Sequence, residues 1–315
     1  MGTEILARVV VTRRLPEPAL AALREGGHEV WVSPHDRALA PEELHAAVEG
    51  VDAVVTMLHD RVDDALLDAA GPQLQVVANV AVGYDNVDVP ACAARGVVVT
   101  NTPGVLTDAT ADLAIALMLA ITRRLGEGER LIRSGEPWAW AIDFMLGRGL
   151  RGKTLGVVGY GAIGQATATR ARAFGMEVVF TRRSGGGVSL DELLERAHVV
   201  SLHVPLSDAT RHLIGAEALR RMRADAYLVN TARGPVVDEE ALAEALRDGT
   251  IAGAALDVFE REPEVHPALR ELDNVVLVPH LGSATVETRT AMAELAAANA
   301  VAVLAGRPPP APVRA

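Results

Sequence analysis

The sequence predicts an α/β protein made of two domains, each with a parallel sheet covered by helices on both faces. Three observations support this prediction. Short β-branched segments alternate with segments of helical periodicity, these strand-like segments are apolar at consecutive positions, and the chain is 315 residues long. Continuous apolar strands are typical of parallel sheets buried on both faces, and a chain of this length accommodates two domains of ordinary size.

The first alternating series occupies roughly the first hundred residues. Its predicted strands are 8–12, 29–32, 53–57 and 75–80, and its predicted helices are 17–25, 41–48 and 64–70. Each helix has apolar residues at helical spacing and begins with proline or acidic residues. A turn-rich stretch, Asn101-Thr102-Pro103-Gly104, then precedes a long apolar helix at 108–122. We therefore expect a domain boundary near Pro103.

The second series starts at Lys153. Its predicted strands are 154–158, 177–181, 199–203, 226–230, 253–257 and 275–278, with helices after Gly161, Leu190, Gly215 and Asp238. Six short apolar strands are what a dinucleotide-binding domain requires. A long alanine-rich helix at 286–304 follows, and the proline-rich segment 307–310 is expected to be extended or frayed.

Composition argues against several classes of function. The formal net charge is −11, and no run of Lys or Arg is long enough to follow phosphates, so nucleic-acid binding is not expected. The longest apolar run, 109–121, is interrupted by Asp112 and is shorter than the ~20 residues of a membrane span. The single cysteine, Cys92, cannot form an internal disulfide, and the first residues lack a secretory-signal pattern, so we expect a cytoplasmic protein. No cluster of His, Cys and Asp has ligand spacing, and no metal is predicted.

A glycine motif indicates the cofactor. Residues Gly159-Tyr160-Gly161-Ala162-Ile163-Gly164 match G-x-G-x-x-G, directly after the strand 155–158 and at the start of a helix predicted at 165–174. In this context the first glycine permits a tight turn, the second lets a pyrophosphate approach the backbone, and the third lets helix and strand pack closely. The sequence therefore predicts a dinucleotide site.

The end of the next strand indicates which dinucleotide is preferred. NAD enzymes usually carry Asp or Glu about 20 residues beyond the motif, bonded to the ribose 2′-hydroxyl. Here the strand ends in Thr181-Arg182-Arg183-Ser184, without a carboxylate. Two guanidinium groups and a hydroxyl suit a 2′-phosphate, which a carboxylate would repel. The sequence thus predicts NADPH over NADH, with NAD possible.

Three later segments place polar side chains just beyond predicted strand ends. Arg233 follows one strand, the carboxylates Glu260 and Glu262 follow the next, and His280 follows the one after. The carboxyl ends of parallel strands form the crevice in which open α/β sheets bind ligands. Reduction of a 2-oxo acid requires a cation for the carboxylate and carbonyl, a proton donor and a hydride donor. These segments supply the first two groups.

The combined motifs carry a resemblance to a known family. They are AVGYDNVD at 81–88, NTPGVLTDATAD at 101–112, the glycine motif, and the segments around Arg233, Glu262 and His280. In this order and spacing the chain resembles the D-2-hydroxyacid dehydrogenases, most closely their glyoxylate/hydroxypyruvate reductases. The resemblance covers nearly the whole chain.

The family resemblance implies a division of the chain and an assembly. Residues 1–103 and 286–315 would form a flavodoxin-like substrate-binding domain, and residues 104–285 a Rossmann dinucleotide-binding domain. The segment from about 105 to 150 would form a homodimer interface. Periodicity alone does not predict that the C-terminal helix returns to the first domain.

Catalytic roles follow from the same resemblance. Arg233 would bind the substrate carboxylate and ketone, and His280 would be the acid/base, paired with Glu262. Adjacency to Pro263 fits the family pattern and selects Glu262 over Glu260. A carboxylate beside an imidazole stabilises the protonated form, which can donate a proton.

The remaining site residues are also implied by the resemblance. Backbone N–H groups of Val82 and Gly83 would hold the substrate carboxylate, with Leu58 and Ser283 also lining the substrate site. Asp257 would contact the carboxamide side of the nicotinamide. The other implied cofactor contacts are Thr107, Pro205, Thr231 and Gly282.

Other functions remain possible at this point. An NAD-linked dehydrogenase of the phosphoglycerate type is disfavoured because the chain lacks a regulatory domain and because of the arginines at 182 and 183. A non-catalytic dinucleotide-sensing scaffold is a second alternative, since fold does not determine function. Formate dehydrogenases share the fold but typically carry Gln where Glu262 stands.

Overall fold

The computed structural model describes residues 7–314, which fall into two compact units. One unit holds the described residues up to Leu106 together with those from Thr285 onward, and the other holds Thr107–Ala284. The division thus follows Leu106, whereas the sequence placed it near Pro103.

The first unit is built on a five-stranded parallel sheet. Its strands are β1 (Arg8–Val11), β2 (Glu29–Val32), β3 (Ala53–Thr56), β4 (Val76–Asn79) and β5 (Val98–Thr100). They lie in the order β2-β1-β3-β4-β5, the flavodoxin-like order, and every pair is parallel. The predicted α/β class with parallel sheets is confirmed for this unit.

Helices cover both faces of this sheet. They are α1 (Glu17–Glu25), α2 (Pro41–Ala47), α3 (Asp64–Ala70), α4 (Val89–Ala94) and, from the end of the chain, α12 (Val286–Leu304). Successive residues of a strand point to opposite faces, so Val9 and Val11 pack with α1 and α12, while Val10 packs with α2, α3 and α4. This explains why the strands are apolar at consecutive positions.

The C-terminal segment is anchored to β5 and is not frayed. The N–H of Val313 donates to the carbonyl of Val99 at 2.8 Å, and the N–H of Asn101 donates to the carbonyl of Ala311 at 3.2 Å. The buried side chain of Asn299 in α12 accepts from the N–H of Ala311 at 2.9 Å and donates to the carbonyl of Asn101 at 3.1 Å. Of the two alternatives expected for this segment, extended or frayed, fraying is wrong because β5 is an edge strand whose unpaired backbone groups bind the segment.

The second unit contains a six-stranded parallel sheet. Its strands are β6 (Thr154–Val158), β7 (Glu177–Thr181), β8 (Val199–Leu202), β9 (Tyr227–Asn230), β10 (Gly253–Leu256) and β11 (Val275–Leu277). They lie in the order β11-β10-β9-β8-β6-β7. The chain leaves β6 toward β7 and then crosses to β8 on the other side, so the strand order reverses at the carboxyl end of β6. Ligands of open α/β sheets bind at such a point.

The helices of this unit are α5 (Thr107–Thr122), α6 (Leu125–Ser134), α7 (Ala162–Ala173), α8 (Leu190–Arg196), α9 (Ala216–Arg221), α10 (Glu239–Arg247) and α11 (Pro267–Arg270). α7 begins at Ala162, three residues earlier than the sequence predicted. The sequence did not predict β5, α4, α6 or α11, most of which are very short. α5 packs against α7, where the guanidinium of Arg170 binds the carboxylates of Asp108 and Asp112 at 2.9 and 2.5 Å.

Candidate active site

The glycine motif forms the turn between β6 and α7, and two of its three glycines are required for steric reasons. Gly159 has φ +94°, and a Cβ there would lie 2.6 Å from the carbonyl oxygen of His203. A Cβ on Gly164 would lie 2.2 Å from the carbonyl oxygen of Gly159. Gly161 precedes the first turn of the 12-residue helix α7, and a Cβ there would meet no described atom within 4 Å. An open backbone at a helix N-terminus suits a pyrophosphate.

The arginine-containing turn after β7 lies beside this glycine turn. β6 and β7 pair so that Val158 is opposite Thr181, and the N–H of Gly159 donates to the carbonyl of Thr181 at 3.0 Å. Arg182, Arg183 and Ser184 follow directly and are exposed. The Nε of Arg182 donates to the carbonyl of Gly185 at 2.5 Å, which holds the turn compact.

The predicted cofactor contacts follow several strand ends of the same sheet. Pro205 comes after β8, Thr231 after β9 and Gly282 after β11, while Thr107 begins α5. The hydroxyl of Thr231 and the Nδ1 of His203 are buried without a hydrogen-bond partner among residues 7–314. Buried polar atoms normally have partners, so these atoms fit a site that is completed by a bound dinucleotide.

The loop that carries Arg233 is fixed by the side chain of Asn230. This buried asparagine at the end of β9 donates from Nδ2 to the carbonyl of Arg233 at 2.9 Å and accepts from the N–H of Ala232 at 3.0 Å. The guanidinium Nη1 of Arg233 donates to the carbonyl of Ala232 at 2.9 Å. Asn230 was not predicted as a site residue, although its position at a strand end just before the arginine was a usable signal.

Glu262 and His280 are hydrogen-bonded to each other in the second unit. The Nδ1 of His280 lies 2.9 Å from Oε2 of Glu262, and Oε1 of Glu262 accepts from the N–H of Phe259 at 3.0 Å. The two side chains are 17% exposed for Glu262 and 26% exposed for His280. Because an ionised carboxylate only accepts hydrogen bonds, Nδ1 carries the hydrogen of this contact. The Nε2 of His280 is then the nitrogen that can exchange a proton with a substrate.

Asp257 supports the loop that carries His280, which is called the histidine loop. Its buried carboxylate accepts from the N–H of Leu281 at 2.5 Å and from the N–H of Gly282 at 2.9 Å. Its carbonyl accepts from the N–H of His280 at 2.8 Å, and His280 itself has φ +52°. Burial raises the pKa of Asp257, although the two backbone N–H groups and His280 oppose that effect. For Asp257 only a contact with the cofactor was predicted, and this supporting function was not.

The predicted substrate residues Leu58, Val82 and Gly83 lie in the first unit, where amide side chains hold their loops. Asn79 donates to the carbonyl of Gly83 at 3.0 Å, and Asn101 donates to the carbonyl of Val82 at 2.8 Å. These loops follow the carboxyl ends of their strands, as expected for a ligand-binding edge.

Asn86 connects the loop at Gly83 to the loop that contains Leu58. Its amide donates to the carbonyl of Asp60 at 2.8 Å and to that of Met57 at 3.2 Å. The two loops are therefore held at a fixed distance from each other. Ser283, the remaining predicted substrate residue, lies in the second unit and is partly buried.

Comparison with known proteins identifies the family. The model of the D-isomer specific 2-hydroxyacid dehydrogenase, NAD binding domain, matches residues 115–282. The chain belongs to the D-2-hydroxyacid dehydrogenase family. The glyoxylate reductases of Thermofilum pendens and Thermococcus onnurineus are 48% and 49% identical, covering 96% of this chain and 93% and 94% of those proteins.

Solved structures share the fold over almost the whole chain. A crystal structure of a Thermus thermophilus protein has a TM-score of 0.91 at 49% identity, covering 98% of this chain and 100% of that one. An NADPH-dependent glyoxylate/hydroxypyruvate reductase from Sinorhizobium meliloti, in complex with NADP and malonate, has a TM-score of 0.83 at 36% identity. It covers 97% of this chain and 96% of its own. The protein is therefore an oxidoreductase with an NAD(P)-binding domain of this dehydrogenase family.

Residues 7–314 contain neither a metal-binding cluster nor a membrane-spanning helix. No group of three or more His, Cys, Asp or Glu within residues 7–314 could hold a metal ion. No helix in the same range is long and apolar enough to cross a membrane.

Proposed function

We propose that this protein is an NADPH-preferring reductase of small 2-oxo acids, glyoxylate and hydroxypyruvate in particular. The observation that carries the proposal is the 2.9 Å contact between His280 and Glu262. These residues and Arg233 lie on loops that follow successive strands of one sheet, and this spacing fits hydride reduction of a carbonyl beside a carboxylate. The similarity to glyoxylate reductases supports the substrate class.

The proposed reaction converts a 2-oxo acid, reduced cofactor and a proton to a 2-hydroxy acid and oxidised cofactor. A bound reduced nicotinamide supplies the hydride. The guanidinium of Arg233 binds the substrate carboxylate and polarises the ketone. The Nε2 of His280 donates its proton to the carbonyl oxygen as negative charge develops there, while Glu262 holds Nδ1 and stabilises the imidazolium. General acid catalysis of this kind contributes about 10²–10⁴-fold in rate.

The preference for NADPH rests on the turn after β7. Arg182, Arg183 and Ser184 follow a strand that pairs with the strand of the glycine motif, and no carboxylate stands among them. Their two positive charges and hydroxyl suit a 2′-phosphate. We infer that Asp257 faces the carboxamide of the nicotinamide as well as supporting the histidine loop.

We propose a separate role for each of the two units. The unit with Leu58, Val82 and Gly83 would bind the substrate, with the two backbone N–H groups holding its carboxylate. The Thr107–Ala284 unit would bind the cofactor and carry the acid/base. We also infer a cytoplasmic location, because the chain has a single cysteine, and a homodimer, because the segment after α6 exposes large apolar side chains. These are Trp138, Trp140, Ile142 and Leu146, exposed by 54, 77, 82 and 65%.

The test is a matrix of substrates and cofactors. Loss of reduced-nicotinamide absorbance is followed with glyoxylate, hydroxypyruvate and pyruvate, each with NADPH and with NADH. The proposal expects the highest kcat/KM for glyoxylate or hydroxypyruvate with NADPH, and a preference for NADPH that Arg182→Asp weakens. Arg270→Asp, an exposed arginine on α11, is the control. A preference for NADH would indicate the NAD-linked alternative, and binding without turnover would indicate a scaffold.

A further inference from the structure

Glu262 lies in a short loop that folds back on itself. The loop runs from Glu260 to His266, and the N–H of Glu264 donates to the carbonyl of Arg261 at 2.8 Å across its tip. Glu262 also accepts from the N–H of Phe259, the residue just before the loop. The position of its carboxylate relative to His280 therefore depends on how the two ends of the loop are fixed.

A single buried carboxylate binds the start of this loop. Glu239, the first residue of α10, is only 5% exposed. Its Oε1 accepts from the N–H of Glu260 at 2.7 Å, and the backbone N–H of His266 also stabilises its charged form. One side chain thus binds the backbone at the start of the loop that carries Glu262 and interacts electrostatically with its end.

The first of these contacts is reciprocal. The Oε1 of Glu260 accepts from the N–H of Glu239 at 3.4 Å and lies 2.7 Å from Nε2 of His212. Each glutamate therefore accepts from the backbone of the other, and the start of the loop is joined to the first turn of α10. Burial raises the pKa of Glu239, and the N–H groups of Glu260 and His266 oppose this shift. An uncompensated carboxylate is expensive to bury, so these N–H contacts are needed by Glu239 itself.

We propose that Glu239 is a positioning residue for the reaction, which fixes Glu262 beside His280 by holding the start of the 260–266 loop. The inference rests on the proposed function, because it requires that the pair of Glu262 and His280 is catalytic. Glu239 acts through the backbone of the loop, and its removal would displace the carboxylate of Glu262. Misplacement of a catalytic group by about 1 Å can cost up to about 10²-fold in rate.

The experiment is a double-mutant cycle in the full-length protein. We measure kcat and KM with glyoxylate and NADPH for wild type, Glu239→Ala, Glu262→Gln and the double variant. Glu239→Ala is expected to lower kcat by about tenfold or more while the KM for NADPH stays within about twofold, since the cofactor turn is remote in sequence. In the Glu262→Gln background the same substitution should cause little further loss, because a residue acting through Glu262 cannot be additive with it.

Two further variants control for folding. Glu239→Gln keeps the size of the side chain and one acceptor oxygen, so a smaller loss of kcat is expected. If Glu239→Ala does not fold, Glu239→Gln replaces it in the double-mutant cycle. Glu244→Ala removes an exposed glutamate from the same helix and should leave kcat unchanged. The pH profile of kcat for Glu239→Ala should change in the same direction as that of Glu262→Gln, which a merely structural defect would not produce.

The outcomes separate this inference from the proposed function. Equal losses from Glu239→Ala in both backgrounds, or wild-type kcat in Glu239→Ala beside a slow Glu262→Gln, would overturn the positioning role alone. Near wild-type turnover by Glu262→Gln would overturn the catalytic assignment, and the inference with it.

Discussion

Gly234 and Phe259 meet backbone to backbone. A Cβ on Gly234 would lie 1.9 Å from both the carbonyl carbon and the carbonyl oxygen of Phe259. Gly234 directly follows Arg233, and Phe259 donates its N–H to Glu262. The absence of a side chain at one position therefore sets the distance between the loop that carries the arginine and the loop that carries the glutamate.

Gly234→Ala should separate these two loops. Inserting a methyl group into a closed contact costs about 1–3 kcal/mol in stability, and a shift of either loop should lower kcat/KM for the 2-oxo acid by about tenfold or more. Steady-state kinetics and thermal unfolding measure the two effects. The matched control is Gly215→Ala, where the added carbon meets only an ordinary contact at 3.4 Å. Equal kinetics for the two variants would show that the contact does not matter for the site.

Asn230→Asp should disturb Arg233 specifically. The substitution keeps the acceptor for Ala232 but removes the donor to the carbonyl of Arg233. We expect a KM for the 2-oxo acid raised by about tenfold, because loss of such a bond costs about 1–3 kcal/mol. Asn274→Asp is the control, since Asn274 also donates its amide to backbone carbonyls, those of Leu246 and Ala252. A KM that rises equally in both variants would assign the effect to general destabilisation.

Burial lowers the pKa of His203 from 6.5 to about 4. Above pH 6.5 the ring is neutral in both the folded and the unfolded chain. As the pH falls from about 6.5 to about 4, the unfolded chain binds a proton that the folded chain does not, so the free energy of unfolding falls. The loss at this residue is on the order of 3 kcal/mol.

His203→Gln should flatten the dependence of stability on pH between about 6.5 and 4. The measurement is a series of thermal or urea unfolding curves across that window. His35→Gln, at an exposed position, should leave the slope as in wild type. An unchanged slope in His203→Gln would mean that this ring does not carry the acid sensitivity.

The exposed apolar segment after α6 predicts the oligomeric state. Trp140 and Ile142 are 77 and 82% exposed, which is unusual for large apolar side chains on a free surface. Replacing both by serine should convert a dimer to a monomer in sedimentation velocity. Trp31→Ser, which removes an exposed tryptophan from β2 in the first unit, should leave the dimer intact. A wild-type chain that sediments as a monomer would contradict the proposed assembly.

Periodicity and motif position predicted most of the fold, because buried parallel strands are apolar at consecutive positions. The strands of the second sheet were predicted to within a residue at each end, and the glycine turn was placed correctly. β5, with three residues, was too short to show periodicity, and the anchoring of the C-terminal segment depends on that strand.

Only the functional side chains of the proposed site could be predicted from the sequence. Arg233, Glu262 and His280 could be proposed because they follow strand ends and match the family's motifs. The residues that hold these side chains in place could not be predicted, because they act through backbone groups that are in several cases distant in sequence. These residues are Asn230, Gly234, Glu239 and Asp257. Asp257 and Leu281, for example, are 24 residues apart. Contacts of this kind leave no periodic signal.

The most direct test of the account is single-turnover reduction of glyoxylate by His280→Ala with bound NADPH. The account predicts that NADPH binds as tightly as to wild type, measured by nucleotide fluorescence, while the rate of hydride transfer falls by about 10²–10⁴-fold. A rate within a fewfold of wild type would show that His280 does not supply the proton.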